Sequence, residues 1–539
     1  MNSSRLRAAA LLLAFLAAPL GAQTILHFHL NAPVIKPVEG LNQRIHNGVL
    51  RLSLDGFLHL VLMNDTTVLS LELQNYTARY GVIAANSPFD PNLTASFNST
   101  RAVTPQSNQT SGAATLSSLT QNTSIGFSQL LPTGETVAAS FGTDRLATNS
   151  TFSTFNPSLS SDVSFSFSQP LLQNRGNLQD KVPLEVAKTQ VLVVGEQTEA
   201  TLATDIVSAA DQYWTTVEAL DNIQVQQDAL NLAQQSYDLN KHMLELGALA
   251  QGGIYTSEAQ VAQDQTAVLQ AQSQYEQQLD QVRRLIGADL DPAATKAKIV
   301  LTDDPSKVTL SEPAMNVDQA IQQALARQPA LQAIHRQQLE DNMDLAMAHD
   351  ALRPVLNLTG TYGSNALAGN QLATVTPLGT VVGGVDTGFG NAVSQVFGFG
   401  SPTYGFNLQL TLPLRNSRAE SELADDLVTQ TTNNYNERNE EQLIRQNVRL
   451  ADIQMRMAVA EVKSSITARD LSQKNVDYEQ EEYLLGATTE FELLQAQVQL
   501  SQAQSSVLDA YTSYQEAIIA YENATWMLFP SLNLKIQNF

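Results

Sequence analysis

The chain repeats itself once, at long range. Leu54-Asp55 opens a mostly apolar helical stretch through Leu58, Leu62, Leu71 and Val82 that ends at Pro91-Asn92-Leu93. Val317-Asp318 opens another through Ile321, Leu325, Ile334 and Leu345 that ends at Pro354-Val355-Leu356. Every pair is separated by the same distance (318 − 55 = 354 − 91 = 263). Two long copies, rather than many short ones, restrict the fold to a duplicated architecture. Phe165-Ser166-Phe167-Ser168-Gln169-Pro170-Leu171 returns as Phe406-Asn407-Leu408-Gln409-Leu410-Thr411-Leu412-Pro413-Leu414. Gly247, followed by Glu258-Ala259-Gln260-Val261, returns as Gly486, followed by Gln495-Ala496-Gln497-Val498. The interval between the two prolines is 79 residues in copy one (170 − 91) and 59 in copy two (413 − 354). Insertions collect in surface loops, so each copy is expected to carry its variable loop there.

The N-terminus reads as a secretory signal. Arg5 and Arg7 precede the apolar run 8–20, and Leu20-Gly21-Ala22 offers a cut after Ala22. There is no cysteine, so the expected mature chain is exported, unlipidated and independent of redox state. Loss of residues 1–22 removes two arginines and no acid, moving the net charge from −23 to −25. A nucleic-acid partner would need a basic footprint instead. Only 15% of residues are charged, against roughly 25% in ordinary soluble domains. A surface of Ala, Gln, Ser, Thr and Asn suits packing against protein or lipid. Beyond the signal, no run reaches the 18 or so apolar residues of a transmembrane helix. A membrane could be spanned only by strands.

Residues 23–52, with Pro33 and Pro37, read as an extended arm. Repeat one is expected over 53–290: a helix to about 86, strands within about 92–169, and long helices over 177–286. Alternation is clear at Leu93-Thr94-Ala95-Ser96-Phe97 and cleanest at Val163-Ser164-Phe165-Ser166-Phe167-Ser168. It is present again over 124–141, around the turn signal Pro132-Thr133-Gly134. Those extra segments either lengthen the strands or form an extracellular hairpin. A linker over 291–316 precedes repeat two, 317–529, with strands at about 355–412, a Gly-rich loop between them, and long helices over 418–526. A tail covers 530–539. Ile206, Ala210, Tyr213, Val217 and Leu220 follow coiled-coil spacing, as do Val507, Tyr511, Tyr514, Ile518 and Tyr521. At about 1.5 Å per residue the longer helices approach 100 Å, more than a compact domain needs.

The expected fold is therefore α+β, with very long coiled-coil helices and about four half-apolar strands per chain. Four strands cannot close a barrel, and open sheet edges are not tolerated in lipid. Single-chain bacterial barrels begin at about eight strands, so several protomers must share one barrel. The order helix, proline, strand, loop, strand, Pro-Leu, long helix, Gly, helix, run twice, resembles the TolC-like outer membrane efflux protein family. The matching text is Leu54-Asp55 with Asn64-Asp65, Val317-Asp318 with Arg327-Gln328-Pro329, Gln169-Pro170-Leu171, Leu412-Pro413-Leu414 and Leu285-Ile286-Gly287. The resemblance implies a homotrimer with a twelve-stranded barrel in the outer membrane and an α-helical tunnel across the periplasm. It also implies a periplasmic adaptor (membrane fusion protein) and an inner-membrane RND, ABC or MFS transporter as partners, in efflux or type I secretion.

By the same resemblance the periplasmic aperture lies near the helix breaks at Gly247 and Gly486. Glu492 stands where the family has the first acid of a cation-selective ring, and Gln495 replaces the second; Glu490 is a further candidate. Thr488 takes the place of the family's locking arginine and Tyr255 lies near its acidic partner, so that lock is absent. His27-Phe28-His29 has no carboxylate cluster beside it and reads as solvated arm, not a metal site. The terminal Phe539 reads as incidental. No nucleophile motif or phosphate-binding loop is present, so neither an enzyme nor a cofactor is expected. The competing reading is an exported coiled-coil structural or adhesive surface protein. It does not account for strands and prolines at matched places in both copies.

Overall fold

The computed structural model describes residues 34–106, 114–247, 251–313, 315–372, 374–375, 381–382, 386–532 and 534. The expected signal segment, His27-Phe28-His29 and Phe539 lie outside the described residues. The first half of the chain runs α1 (Leu54–Asn64), α2 (Thr66–Ala85), β1 (Asn92–Pro105), β2 (Thr115–Leu130), β3 (Thr136–Thr148), β4 (Phe155–Pro170), α3 (Leu178–Glu245) and α4 (Gln251–Leu285). The second runs α5 (Val317–Arg327), α6 (Pro329–Ala351), β5 (Val355–Gln371), α7 (Phe389–Phe397), β6 (Pro402–Thr411), α8 (Ser417–Leu484) and α9 (Glu490–Ala524). The long helices match in length: 68 residues for α3 and α8, 35 for α4 and α9.

The chain divides into two compact units. One holds Val34–Arg79, Thr189–Leu339 and Thr431–Phe539. There the single helix expected from residue 53 to 86 is two, because Asp65 intervenes. Its Oδ1 accepts from the Thr67 and Val68 amides (2.6 and 3.3 Å), starting α2 afresh. Part of the expected arm and part of the expected linker are strands: Val49–Leu52 pairs in parallel with Lys298–Leu301. On this small sheet and on Phe57 packs the seam of α3, with Ile206, Ala210, Tyr213 and Val217 buried and Leu220 half-buried. The Tyr213 hydroxyl, inside that core, donates to the Leu52 carbonyl (3.0 Å), as a buried phenol requires. A second core joins Ala320 and Ala324 of α5 to Val448, Val459 and Val462 of α8 and Tyr514 and Tyr521 of α9. Gly287 follows α4 with φ +66°, and a Cβ there would meet Asn64 at 3.4 Å. That left-handed, crowded position favours glycine.

The other unit, containing Tyr80–Lys188 and Glu340–Gln430, is built on a sheet, and here the count differs from expectation. Six long strands, not about four, form one antiparallel meander in the order β1-β2-β3-β4-β5-β6, with the short Asp386–Thr387 beside β5. Copy one supplies four of them and copy two supplies two. Of the alternatives for the 124–141 segments, the sheet shows added strands rather than longer ones or a separate hairpin. The segments are the inner parts of β2 and β3, paired on both sides within the sheet. Alternation made them visible as strands, but their place in the ladder depends on partners remote in sequence. The expected Gly-rich loop is also shorter, because β5 continues to Gln371 and α7 forms beyond it.

Opposed residues in a pleated sheet share a face. One transverse row reads Leu93, Phe127, Ala139, Phe165, Tyr362, Tyr404, and the next Ala95, Ile125, Phe141, Val163. The opposite face reads Thr94, Gly126, Ser140, Ser164, Gly363, Thr403, with Ser96 and Ser124 hydroxyls 2.8 Å apart and Ser140 and Ser164 2.7 Å apart. The sheet is thus apolar on one side and hydroxyl-rich on the other. On the apolar side α7 covers Val163 and Ala366 with Val396, and stacks Phe397 on Phe141 at 5.7 Å. The two end strands have one neighbour each, and every residue of β1 and β6 is exposed.

Candidate functional site at the helix breaks

Both 68-residue helices end on a glycine with positive φ: Gly247 at +72° and Gly486 at +73°. Each closes the last turn through its amide, Gly247 to the Leu244 carbonyl (2.9 Å) and Gly486 to the Tyr483 carbonyl (3.0 Å). Ala487 adds a bond back to the Glu482 carbonyl (2.8 Å), the 6→1 closure of a Schellman-type end. Nothing lies within 4 Å of a Cβ at either glycine. Backbone conformation alone therefore asks for glycine there.

After the second break, Thr489 caps α9 in a capping box. Its hydroxyl accepts from the Glu492 amide (3.4 Å) and Glu492 Oε2 accepts from the Thr489 amide (3.1 Å). Thr488 Oγ1 lies 2.5 Å from the same carboxylate and 2.9 Å from Glu479 Oε2. The hydrogen bond from the Thr488 hydroxyl, and then those from Thr489, hold the Glu492 carboxyl below its ordinary value. Glu492 is exposed and ionised, and its local partners give it a structural task as well. Gln495 and Tyr255 are also exposed.

Glu490 is placed differently. Asn240 of α3, fully buried, donates through Nδ2 to Glu490 Oε1 (2.7 Å) and to Ser257 Oγ of α4 (3.0 Å). Its Oδ1 accepts from the Tyr483 hydroxyl of α8 (2.5 Å). One amide thus joins one side chain from each of four long helices, and both its hydrogens are used. Burial pushes the Glu490 carboxyl above its ordinary value, against hydrogen bonds from Ser257 and Asn240. Burial, and then the nearby Glu490 charge, raises the Tyr483 phenol. A half-satisfied network in this setting is costly, so its members act as a unit. Sequence reasoning missed Asn240, Ser257 and Tyr483. Asn240 lies seven residues before its glycine and Tyr483 three before its own, so comparison of the copies does not align them.

Among the described residues there is no group of three or more acidic or histidine side chains placed to hold a metal. No described helix is long and apolar enough to cross a membrane, which says nothing of strands.

The family model described as "Outer membrane efflux protein" matches residues 320–525. Comparison with curated protein sequences finds no match. Among solved structures, a membrane protein from Pseudomonas aeruginosa is 17% identical with a TM-score of 0.63, over 92% of this chain and 97% of that one. CusC, whose structures concern folding and transmembrane channel formation, is 15% identical with a TM-score of 0.63, over 92% and 99%. The CmeC outer membrane channel of Campylobacter jejuni is 15% identical with a TM-score of 0.61, over 93% and 94%. At these identities the likeness is one of fold. The fold is that of the TolC-like channels, long helices with a β-domain. Over residues 320–525 the chain is thus similar to the outer membrane efflux proteins, and over about nine-tenths of its length its fold is similar to that of outer membrane channels.

Proposed function

We propose that the chain is one protomer of a homotrimeric duct. Its strands share one outer-membrane barrel, its long helices line a periplasmic tunnel, and an adaptor and an inner-membrane pump deliver the exported substrate. The carrying observation is the two-faced sheet. Its apolar row runs across all six strands and its hydroxyl-rich row runs behind it. That is the outward-apolar, inward-polar pattern of a membrane barrel around water. An exported adhesive protein has no use for such a belt. The matched helix lengths support reading the chain as two structural repeats, with domain limits as set out from the sequence.

In this reading the breaks at Gly247 and Gly486 mark the periplasmic aperture. The Asn240–Glu490–Tyr483–Ser257 node holds the two helix pairs together there, in place of the family's arginine lock. Glu492 supplies negative charge to passing cations, with Gln495 neutral beside it. The test is the mass and single-channel conductance of the mature protein purified from outer membranes. A trimer with a small, cation-preferring conductance is expected. A monomer, or an oligomer that does not conduct, overturns the reading.

A further inference from the structure

We infer that the outer-membrane barrel of this protein has eighteen strands, six from each of three copies, where the resemblance led to an expectation of twelve. The inference rests on the trimeric duct proposed above and adds the width of its exit. Four observations within the sheet carry it.

The β2–β3 hairpin lies in the sheet's interior. β2 pairs with β1 from Asn92↔Ser128 to Pro105↔Thr115, and β3 pairs with β4 from Thr136↔Ser168 to Leu146↔Ser158. It cannot fold away from the sheet without breaking both ladders. The hairpin also carries the apolar belt at the level of its neighbours: Phe127 and Ala139 stand between Leu93 and Phe165 in one row, and in the next Ile125 stands beside Ala95 while Phe141 and Val163 lie under α7. A hairpin projecting into water would have no reason to place its apolar residues in that register.

The hairpin's turn lies at the end of the sheet where the strands join helices. Leu131 donates to the Glu135 carbonyl (2.8 Å), and Gly134, at φ +98°, would meet the Asn177 amide at 3.2 Å if it bore a Cβ. Asn177 immediately precedes α3, so β2 and β3 cross the full height of the sheet and turn back at its helix-side rim. Finally, six is even. β1 rises from that rim and β6 returns to it, so β6 of one copy meets β1 of the next antiparallel, with the apolar faces continuous. Among the described residues neither edge has a second partner strand, and both are fully exposed, a state that lipid does not tolerate.

Barrel diameter grows roughly linearly with strand number. The bore is therefore about 1.5 times as wide as a twelve-stranded one, and its cross-section about twice as large. Barrels of 16–18 strands leave an open aqueous channel. The lining is mostly Ser, Thr, Asn and Gly, and among the described strand residues Asp144 and Asp162 are its charged ones. Such an exit suits bulky hydrophilic cargo and leaves selection to the helical aperture.

The chain has no cysteine, so single cysteines can be read without background. Phe127→Cys and Val137→Cys on the apolar face, and Ser128→Cys and Ala138→Cys on the other, are labelled with an environment-sensitive fluorophore in trimers reconstituted into lipid vesicles. Phe165→Cys on β4 serves as the reference. Quenching by a lipid-borne quencher at 127 and 137 as strong as at 165, with 128 and 138 reached by a water-soluble thiol reagent, is expected. Labels at 127 and 137 that escape quenching while 165 is quenched would overturn the eighteen-stranded barrel and leave the duct standing. An unquenched label at 165, or a particle mass other than three copies, would overturn the duct itself.

Discussion

The helices and the strands obey different rules of length. α3 and α8 each have 68 residues and α4 and α9 each have 35, yet copy one carries four long strands and copy two carries two. Helices packed side by side through shared nodes must keep step, because an added residue rotates every following side chain by about 100° and shifts it by 1.5 Å. A sheet can take an added hairpin at no such cost. The insertion enters as an up-down pair, and the antiparallel order and the two faces are kept. The two halves of the chain therefore differ in strand number while their long helices match in length.

The sharpest way to break this comparison is to attack the extra hairpin as if it were dispensable. Phe127→Arg puts a guanidinium into the apolar belt, at a cost of about 2–4 kcal/mol near the bilayer midplane. Ser128→Arg, one residue along on the polar face, should be tolerated. Heat-resistant trimer in isolated outer membranes is the readout. Equal behaviour of the two variants would mean that the hairpin has no lipid-facing side.

The next test concerns the joint between the two copies. Asn240→Leu leaves the buried Tyr483 hydroxyl and the half-buried Glu490 carboxylate without their shared partner, a loss of about 2–3 kcal/mol. Tyr483→Phe removes a single bond and should cost about 1 kcal/mol. Thermal unfolding ranks the two variants, and single-channel recording asks whether Asn240→Leu spends more time open. A stable Asn240→Leu protein with unchanged conductance would remove the node from the aperture.

The sequence made much of this legible for a physical reason: it is written in local terms. Seam residues such as Ile206, Ala210 and Tyr213 announce a buried helix face by spacing, and Gly247, Gly486, Pro91 and Pro354 announce stops through backbone conformation. The strands of copy one were visible as alternation. What stayed hidden depends on pairing over long separations: the level at which Phe127 meets Leu93, or the contact of Asn240 with Tyr483 and Glu490, 243 and 250 positions away. A polar residue inside a long helix has the same local signature whether it faces water or closes a buried node. Asp65 was visible as a motif, but its role in cutting one helix into two needed the capping geometry.

Charge gives a third, smaller test of how α3 and α9 keep step. Burial pushes the Glu218 carboxyl of α3 up to about 7, against a hydrogen bond from Thr512 and with Asp509 of α9 beside it. An acid whose folded pKa is raised binds its proton more tightly when folded. Stability should therefore rise as pH falls through about 7 and level off below the unfolded value near 4.5. Because the group is only partly buried, about 1–2 kcal/mol is expected between pH 8 and pH 5. Glu218→Gln should flatten that part of the profile in thermal unfolding. An unchanged profile would assign the pH dependence to other carboxylates.

The smallest expected effect falls where the two helix breaks differ most in charge. Copy two presents Glu492 where copy one has Tyr255, whereas copy one presents Glu258 where copy two has Gln495, so the two repeats place their acids one helical turn apart. Glu492→Gln keeps a side chain able to complete the capping box, so the fold and the Thr489 cap should persist. What changes is one charge per protomer. Rings of carboxylates bias a pore toward cations, and the loss should lower the cation-to-anion permeability ratio roughly twofold at low salt, less at high salt where screening shortens the reach of the remaining acids. Reversal potentials in planar bilayers under a salt gradient measure this directly. An unaltered ratio at low salt would confine Glu492 to its capping role and leave the selectivity of the duct to other acids along the bore.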